Sequence, residues 1–531
     1  MAFSVLDSVQ ILEHSRVEAA KMNTVPVWSV DARTGVRSVQ VTVEAGAEDV
    51  DRAVRGAHAA LPALADRTVR AALLRAAAER LEARGAELIA AADRETALGT
   101  VRLTGELART TYQLRAFADV VDEGAFLDVV IDHADPQAAP APRPDLRRWK
   151  VPLGVVAVFA ASNFPFAFSV PGGDTASALA AGCTVVAKAH PDHPETSELV
   201  AGALREAAEN VGLPADVLVL VHGRQAGVDL VRHPLVSAAG FTGSIAGGRA
   251  LYDLAAARLA PIPFHGELGS LNPVLVTERA AALRAEEIGS GLGASFTLGM
   301  GQFCTKPGLV FVPDDQSGDR LEKALAAAAE GAAAGALLDG RMREHFLTGF
   351  AERAGLPGVT APVAAGEQPA PGQEQAVRPG FLSVPAGLLA DDEHRPLLEE
   401  CFGPVTVVAR YRDLDQVTEV LAGLGGNLTA TLHAESGEPG AAALLERLSG
   451  LAGRVLFGGW PTGVAVAPSM HHGGPYPATT GTSTSVGGTA VERWLRPVVY
   501  QSAPQELLPV ELRDAGPAGL PRRVDGVLRL S

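Results

Sequence analysis

The sequence predicts an α/β fold: a doubly wound nucleotide-binding sheet, a second α/β region after it, and a small projecting β arm. Three observations predict it. From residue 149 onward, short apolar runs alternate with helical stretches at the spacing of βαβ units. One of those runs, 155–160, holds no polar residue at all, as a parallel strand buried on both faces requires. The same texture resumes past Glu267, and 531 residues suffice for two or three domains with large cores.

Taken in order, residues 1–45 are mixed, with a β-like patch at 37–43. Between 47 and 92 apolar residues recur at three and four (Val50, Val54, Ala57, Leu61, then Val69, Leu73, Ala77, Leu81), which predicts helices. A further helix is expected over 104–123 and a strand over 126–131. Residues 133–148 carry Pro136, Pro140, Pro142 and Pro144 between strand-like flanks and read as the loop of a β arm. Strands follow at 155–160, 184–187, 217–221 and 238–241, with helices at 175–181, 195–210, 226–232 and 247–259 between and after them. In the second region, strands are expected at 273–276, 308–312, 405–409, 428–432 and 454–457. Helices are expected over 280–295 and, alanine-rich, over 319–338, and a Gly/Pro/Gln-rich surface loop over 366–380. The stretch 494–502 is strand-like, with a Pro-spaced tail after it. Strand-like edges at the arm and at the C-terminus need partners, so a homodimer or homotetramer is expected.

Composition narrows the function. Hydrophobic residues make up 47% and charged residues 20%, an ordinary globular profile. A formal charge of −16 argues against nucleic acid and anionic membrane surfaces as partners. Cys183, Cys304 and Cys401 form no CxxC pair, which points to a reducing compartment, the cytoplasm, without disulfides or a cysteine-based zinc site. Acidic and basic residues from Asp7 to Glu18 interrupt any apolar core of a signal peptide. The uncharged window 151–173 is long enough for a membrane span, but Pro152, Pro165 and Pro171 would leave backbone groups unpaired in lipid.

Cys304 is the candidate nucleophile. It ends an uncharged run, 289–305, and follows Gly299 and Gly301, which let backbone approach a ligand closely. Around it stand Gly301-Gln302-Phe303-Cys304, Ser162-Asn163-Phe164-Pro165-Phe166, Val185-Val186-Ala187-Lys188, Phe241-Thr242-Gly243-Ser244, Glu267-Leu268-Gly269-Ser270 and Glu400-Cys401-Phe402-Gly403-Pro404. In this order and spacing the six motifs resemble the aldehyde dehydrogenase superfamily, over essentially the whole chain.

The resemblance implies a chemistry for each position. Cys304 as a thiolate attacks the aldehyde carbon. The Asn163 amide and the Cys304 backbone N–H stabilise the adduct oxygen. Hydride leaves to a nicotinamide, and Glu267 activates the water that hydrolyses the thioester. Ser162, Lys188, Gly243, Ser244, Glu400 and Phe402 fall to the cofactor: Lys188 to the adenosine ribose, Gly243-Ser244 to the pyrophosphate at a helix start, Glu400 to the nicotinamide ribose. Phe166, Phe296 and Phe303 would line a partly apolar aldehyde pocket. Three parts follow: a cofactor domain (1–126 and 149–266), a catalytic domain (267–475), and an arm with the C-terminal tail (127–148 and 476–531).

The segments 174–183, 188–191, 473–480 and 493–497 look like an NADP-preferring group. It contains 2-oxoglutarate semialdehyde (2,5-dioxovalerate) dehydrogenases and a bacterial long-chain fatty aldehyde dehydrogenase. Many NAD-dependent relatives carry a glutamate three residues after the ribose-binding lysine; here Pro191 stands there, so the repulsion of a 2′-phosphate is gone and NADP is expected, with NAD possible. Arg224, after the next strand, is a candidate phosphate partner. After Thr480, relatives run through an Asp-x-Arg segment, but here Gly481-Thr482-Ser483 is one residue shorter and has no arginine. A dicarboxylate semialdehyde calls for a cation near its distal carboxylate, and this segment does not supply one. The preferred substrate is 2-oxoglutarate semialdehyde. The alternatives are a medium- or long-chain aldehyde, a CoA-acylating enzyme, and a non-catalytic relative. His471-His472 has no third ligand at metal spacing, so no metal site is expected.

Overall fold

The computed structural model describes residues 25–530. The reading of the first residues as free of a signal peptide lies outside them. Five parallel strands form the first sheet, in the spatial order Leu218–Val221, Thr184–Lys188, Val155–Phe159, Val236–Thr242, Phe264–Glu267. Val155–Phe159 is the first of the five in sequence and sits at the centre, so the winding reverses beside it; that reversal opens a crevice at the carboxyl edge of a doubly wound sheet. Alternation along this strand serves two cores. Val155, Ala157 and Phe159 pack with Val50, Val54, Leu230 and Val231 on one face. Val156 and Val158 pack with Leu74, Leu114, Phe117 and Leu204 on the other.

The second sheet has seven strands, in the order Thr360–Val363, Gly380–Pro385, Val405–Tyr411, Leu309–Pro313, Val274–Val276, Asn427–His433, Ala452–Phe457. All neighbours are parallel except the first pair. A third sheet joins the arm to the C-terminus: Leu495–Gln501, Leu146–Pro152, Val129–Asp132, Arg522–Val524, Val527–Arg529.

Several elements differ from expectation. The helix expected over 319–338 ends at Glu330. Gly331 and Gly335 have low helix propensity, and Gly335–Ala336 instead pairs with Ala376–Arg378. The loop expected over 366–380 therefore carries two short strands of a small sheet. The strand expected over 126–131 opens with a 3-10 turn, Ala125–Leu127. Helices Gly340–Ala354, Leu414–Gly423 and Ala441–Ser449 were not legible in the sequence. The window 151–173 is a strand and a turn leading to the helix Gly173–Ala181, and among the described residues no helix is long and apolar enough to cross a membrane.

The C-terminal tail, expected to side with the arm, also closes the first core: Ala490, Val491, Trp494, Leu508, Leu512 and Leu520 pack into it. Trp494 is fully buried, and its Nε1 donates to Ser177 Oγ at 2.8 Å. Cys183 Sγ lies 3.5 Å from the Trp494 carbonyl, and burial pushes this thiol up to about 11, which suits a structural cysteine. Trp494→Ala is expected to cost about 3–5 kcal/mol. Differential scanning calorimetry checks it, and a variant melting with the parent would remove the tail from that core.

Candidate active site

The carboxyl edge of the first sheet opens into a cleft of about 690 Å³, a size that suits a cofactor. Strand ends supply its floor: Phe159 to Asn163, Lys188, Phe241 to Ser244, and Glu267 to Gly269. Lys188 and Glu267 end strands separated by two others, so they stand at opposite ends of the cleft. Ser244 caps the helix Ile245–Ala256, its Oγ accepting from the Gly247 N–H at 3.2 Å, and this N-terminus faces the cleft. Close approach is built in at Gly269, where a Cβ would lie 2.4 Å from Glu400 Oε2. Burial lowers the Lys188 ammonium, against the opposing charges of Asp192 and Glu44. Burial raises the Glu400 carboxyl to about 7, against the pull of Lys306. A buried cation toward one end, a buried carboxyl toward the other and a helix N-terminus between them fit a dinucleotide.

Cys304 is carried by a loop that hydrophobic packing alone does not shape. Gly299, Met300 and Gly301 are successive left-handed residues at φ 54°, 58° and 64°. A Cβ at Gly301 would lie 2.2 Å from the Gly403 carbonyl oxygen, so only glycine fits. Asn272 Nδ2 donates to the Cys304 carbonyl at 2.8 Å and the Lys306 carbonyl at 2.9 Å. Lys306 Nζ donates to the carbonyls of Cys401 (3.1 Å) and Val405 (2.6 Å), tying the cysteine loop to the Glu400 segment. Asn163 Nδ2 donates to the Gln302 carbonyl at 3.1 Å, which leaves its second N–H uncommitted.

Glu267, buried at its strand end, lies beside His472: Oε1 is 2.9 Å from His472 Nε2, and Oε2 accepts from Ser485 Oγ at 2.6 Å. His472 Nε2 is also 3.6 Å from Cys304 Sγ. Burial acts to raise the Glu267 carboxyl, but His472 and the Ser485 hydroxyl outweigh it and hold the group below the usual glutamate range. The Cys304 thiol moves the other way, well above the usual range, through burial and then the charges of Glu267 and Glu400. An ionised carboxylate and a neutral thiol thus share one buried corner, with an imidazole between them.

Of the residues singled out in the sequence, Ser162, Asn163, Lys188, Arg224, Gly243, Ser244, Glu267, Cys304, Glu400 and Phe402 line this single cleft. Phe303 stands next to it, edge-on to Phe164 at 5.4 Å. Phe166 and Phe296 do not belong to a pocket: both have no exposed surface, Phe166 in the first core and Phe296 in the second. Backbone direction explains Phe166, since its N–H is held by Glu106 Oε1 at 2.8 Å and its side chain turns inward. The aromatic beside the histidine is instead Phe168, 5.9 Å from the His472 ring. His472 was missed as a partner of Cys304. The histidine doublet was its only signal, and its neighbours Glu267 and Cys304 come from distant segments, with donor atoms within 4.8 Å.

Reactivity of Cys304 follows from these charges. Alkylation by iodoacetamide is expected to stay slow through the neutral range and to rise only above the range of an ordinary thiol, as the raised Cys304 ionises. Glu267→Gln removes a neighbouring negative charge, so the midpoint should fall. A midpoint unchanged or higher in the variant would contradict the charge coupling.

The model of the aldehyde dehydrogenase family matches residues 20–496. An alpha-ketoglutaric semialdehyde dehydrogenase 2 of Azospirillum brasilense is 47% identical over 484 residues, covering 90% of this chain and 91% of the relative. An alpha-ketoglutaric semialdehyde dehydrogenase of Acinetobacter baylyi is 41% identical over 523 residues, 98% of each chain. Among solved structures, an aldehyde dehydrogenase of Pseudomonas syringae, a mutant with NAD+ and octanal, superposes with a TM-score of 0.76 at 22% identity, over 91% of this chain and 95% of that one. An NADP-dependent glyceraldehyde-3-phosphate dehydrogenase of Bacillus halodurans, with NADP, gives 0.75 at 22% identity, over 91% and 97%. The chain belongs to the aldehyde dehydrogenase family, enzymes that oxidise aldehydes with a nicotinamide cofactor.

Proposed function

We propose that the protein oxidises 2-oxoglutarate semialdehyde to 2-oxoglutarate with NADP, through a covalent adduct on Cys304. The observation that carries the reaction is the meeting of Cys304, His472 and Glu267 at the end of the cofactor cleft. The substrate is supported by the two relatives of 41% and 47% identity, both alpha-ketoglutaric semialdehyde dehydrogenases. The ionised Glu267 carboxylate, held by His472, takes the thiol proton and passes it to solvent as Sγ bonds to the aldehyde carbon and the carbonyl π bond opens onto its oxygen. The adduct oxygen takes hydrogen bonds from Asn163 Nδ2 and the Cys304 N–H; one such donor is worth about 3–4 kcal/mol of barrier. The bound nicotinamide supplies the hydride acceptor. Glu267, ionised and buried, then takes a proton from the water that attacks the thioester. A carboxylate in that place serves water as the acyl acceptor and disfavours a CoA-acylating enzyme.

For the cofactor, Lys188, Ser244, Glu400 and Phe402 are the residues that would hold it, with Arg224 exposed at the start of its helix beside the adenosine end. Pro191 in place of a carboxylate permits the 2′-phosphate, and each charge-assisted contact would add about 1.5–3 kcal/mol. We assign the first sheet to cofactor binding and the second region to catalysis. The edge strand Leu495–Gln501 leaves Val499 half exposed, which supports a dimer or a dimer of dimers built on the arm sheet. Three free cysteines support a reducing compartment such as the cytoplasm.

Two measurements test this. Cys304→Ala should abolish oxidation, while Glu267→Gln should give one burst of reduced cofactor and then stall at the thioester; steady full-rate turnover by either variant would end the assignment. The ratio of kcat/KM for NADP over NAD should exceed one in the parent and fall in Arg224→Ala by about tenfold. A parent ratio below one overturns the cofactor choice, and an unchanged variant ratio removes Arg224 from it.

A further inference from the structure

The segment after Thr480 brings no arginine, yet two arginines from elsewhere converge near the nucleophile. Arg109, on the helix Thr100–Glu123, donates from Nε to the Val464 carbonyl at 3.2 Å, and its guanidinium lies 5.2 Å from the centre of the Phe168 ring. Phe168 is 5.9 Å from the His472 ring, and His472 Nε2 is 3.6 Å from Cys304 Sγ. Arg454, on the strand Ala452–Phe457, donates to the carbonyls of Pro461 (2.5 Å) and Gly463 (2.9 Å). Both guanidiniums therefore reach the same loop, 461–464, one from a distant helix and one from the strand just before it.

Neither makes an ion pair among the described residues. Arg109 Nη2 and Arg454 Nε are buried without an acceptor. The carboxylate nearest Arg109 in sequence, Glu106, spends Oε1 on the backbone N–H groups of Phe166 (2.8 Å) and Ala167 (2.9 Å). Arg109 approaches the reacting atoms through the Phe168 ring, and Arg454 follows Gly453, where a Cβ would lie 2.8 Å from the ring of His471, the residue before His472. Neither arginine lines the cofactor cleft. A half-buried guanidinium with an idle N–H is costly unless a ligand brings an anion to it, and its planar fork matches a carboxylate.

We propose that Arg109 and Arg454 together receive the carboxylate at the far end of the substrate, so that the aldehyde end is delivered to Cys304. The proposal rests on the reading of the substrate as a carboxylated semialdehyde, and it names the residues that would select one. An uncharged aldehyde of equal length would leave both N–H groups unmet.

The test compares 2-oxoglutarate semialdehyde with pentanal as substrates of the parent, Arg109→Met, Arg454→Met and Arg109→Lys. The parent should favour the semialdehyde in kcat/KM. Each methionine variant should lower that preference by about tenfold or more, chiefly through KM for the semialdehyde, with lysine restoring part of it. A parent with no preference overturns the substrate reading. A parent with the preference and methionine variants that keep it, whether both substrates slow together or neither does, overturns only the arginine assignment and leaves them as ties on the loop. A second readout needs no variant. In the parent, glutarate should protect Cys304 from iodoacetamide at a concentration about tenfold lower than its uncharged diamide; equal protection by the two overturns the proposal.

Discussion

A buried ammonium holds this site together. Lys306 is 3% exposed, and among the described residues its Nζ finds only the backbone carbonyls of Cys401 and Val405. An unpaired charge there would be expensive, so the segment from Cys401 to Val405 must stay where those carbonyls meet it. Asn272 makes the same demand from the other side, holding the carbonyls of Cys304 and Lys306 while its own oxygen accepts from Thr429. The nucleophile's loop, the carboxyl of Glu400 and the strand that follows Glu267 are therefore fixed relative to one another by polar groups that have no alternative partner. Hydrophobic packing sets the two sheets; hydrogen bonding sets the corner between them.

The turn that presents the cysteine shows the local cost of this arrangement. Three successive left-handed residues include Met300, whose side chain makes that conformation strained. Its side chain contacts Gly335, in the short strand that replaces the end of the expected alanine-rich helix. The Gln302 side chain accepts from the Leu338 N–H at 2.9 Å, so the same irregular segment braces the loop from two points. A continuous helix through residue 338 would remove both braces.

Electrostatics then divide labour within the corner. Glu267 stays ionised because His472 and Ser485 compensate its burial, and the same carboxylate keeps the neighbouring thiol protonated at rest. At rest the corner therefore pairs a neutral thiol with an ionised carboxylate. Arginines near the same atoms add a field of opposite sign, with Arg454 acting to ease ionisation of Cys304.

The sequence by itself determined the regular part of the molecule. Apolar periodicity and βαβ spacing located the strands of the first sheet because burial on both faces leaves no room for polar residues in them. Six short motifs, each local in sequence, also identified nine residues that one cleft collects. Only the tertiary structure decided what depends on contacts between distant segments. His472 is 168 residues from Cys304 in sequence, and it becomes its neighbour because the segment after it, 478–480, pairs along the edge strand that ends in Glu267. Phe166 and Phe296 were expected as pocket aromatics, but side-chain direction sent both into the cores. The tail's role in closing the first core, the end of the helix at Glu330 and the convergence of Arg109 with Arg454 have the same origin. Each is set by which distant backbone or side chain meets a buried polar or apolar group, and no local pattern in the chain encodes that.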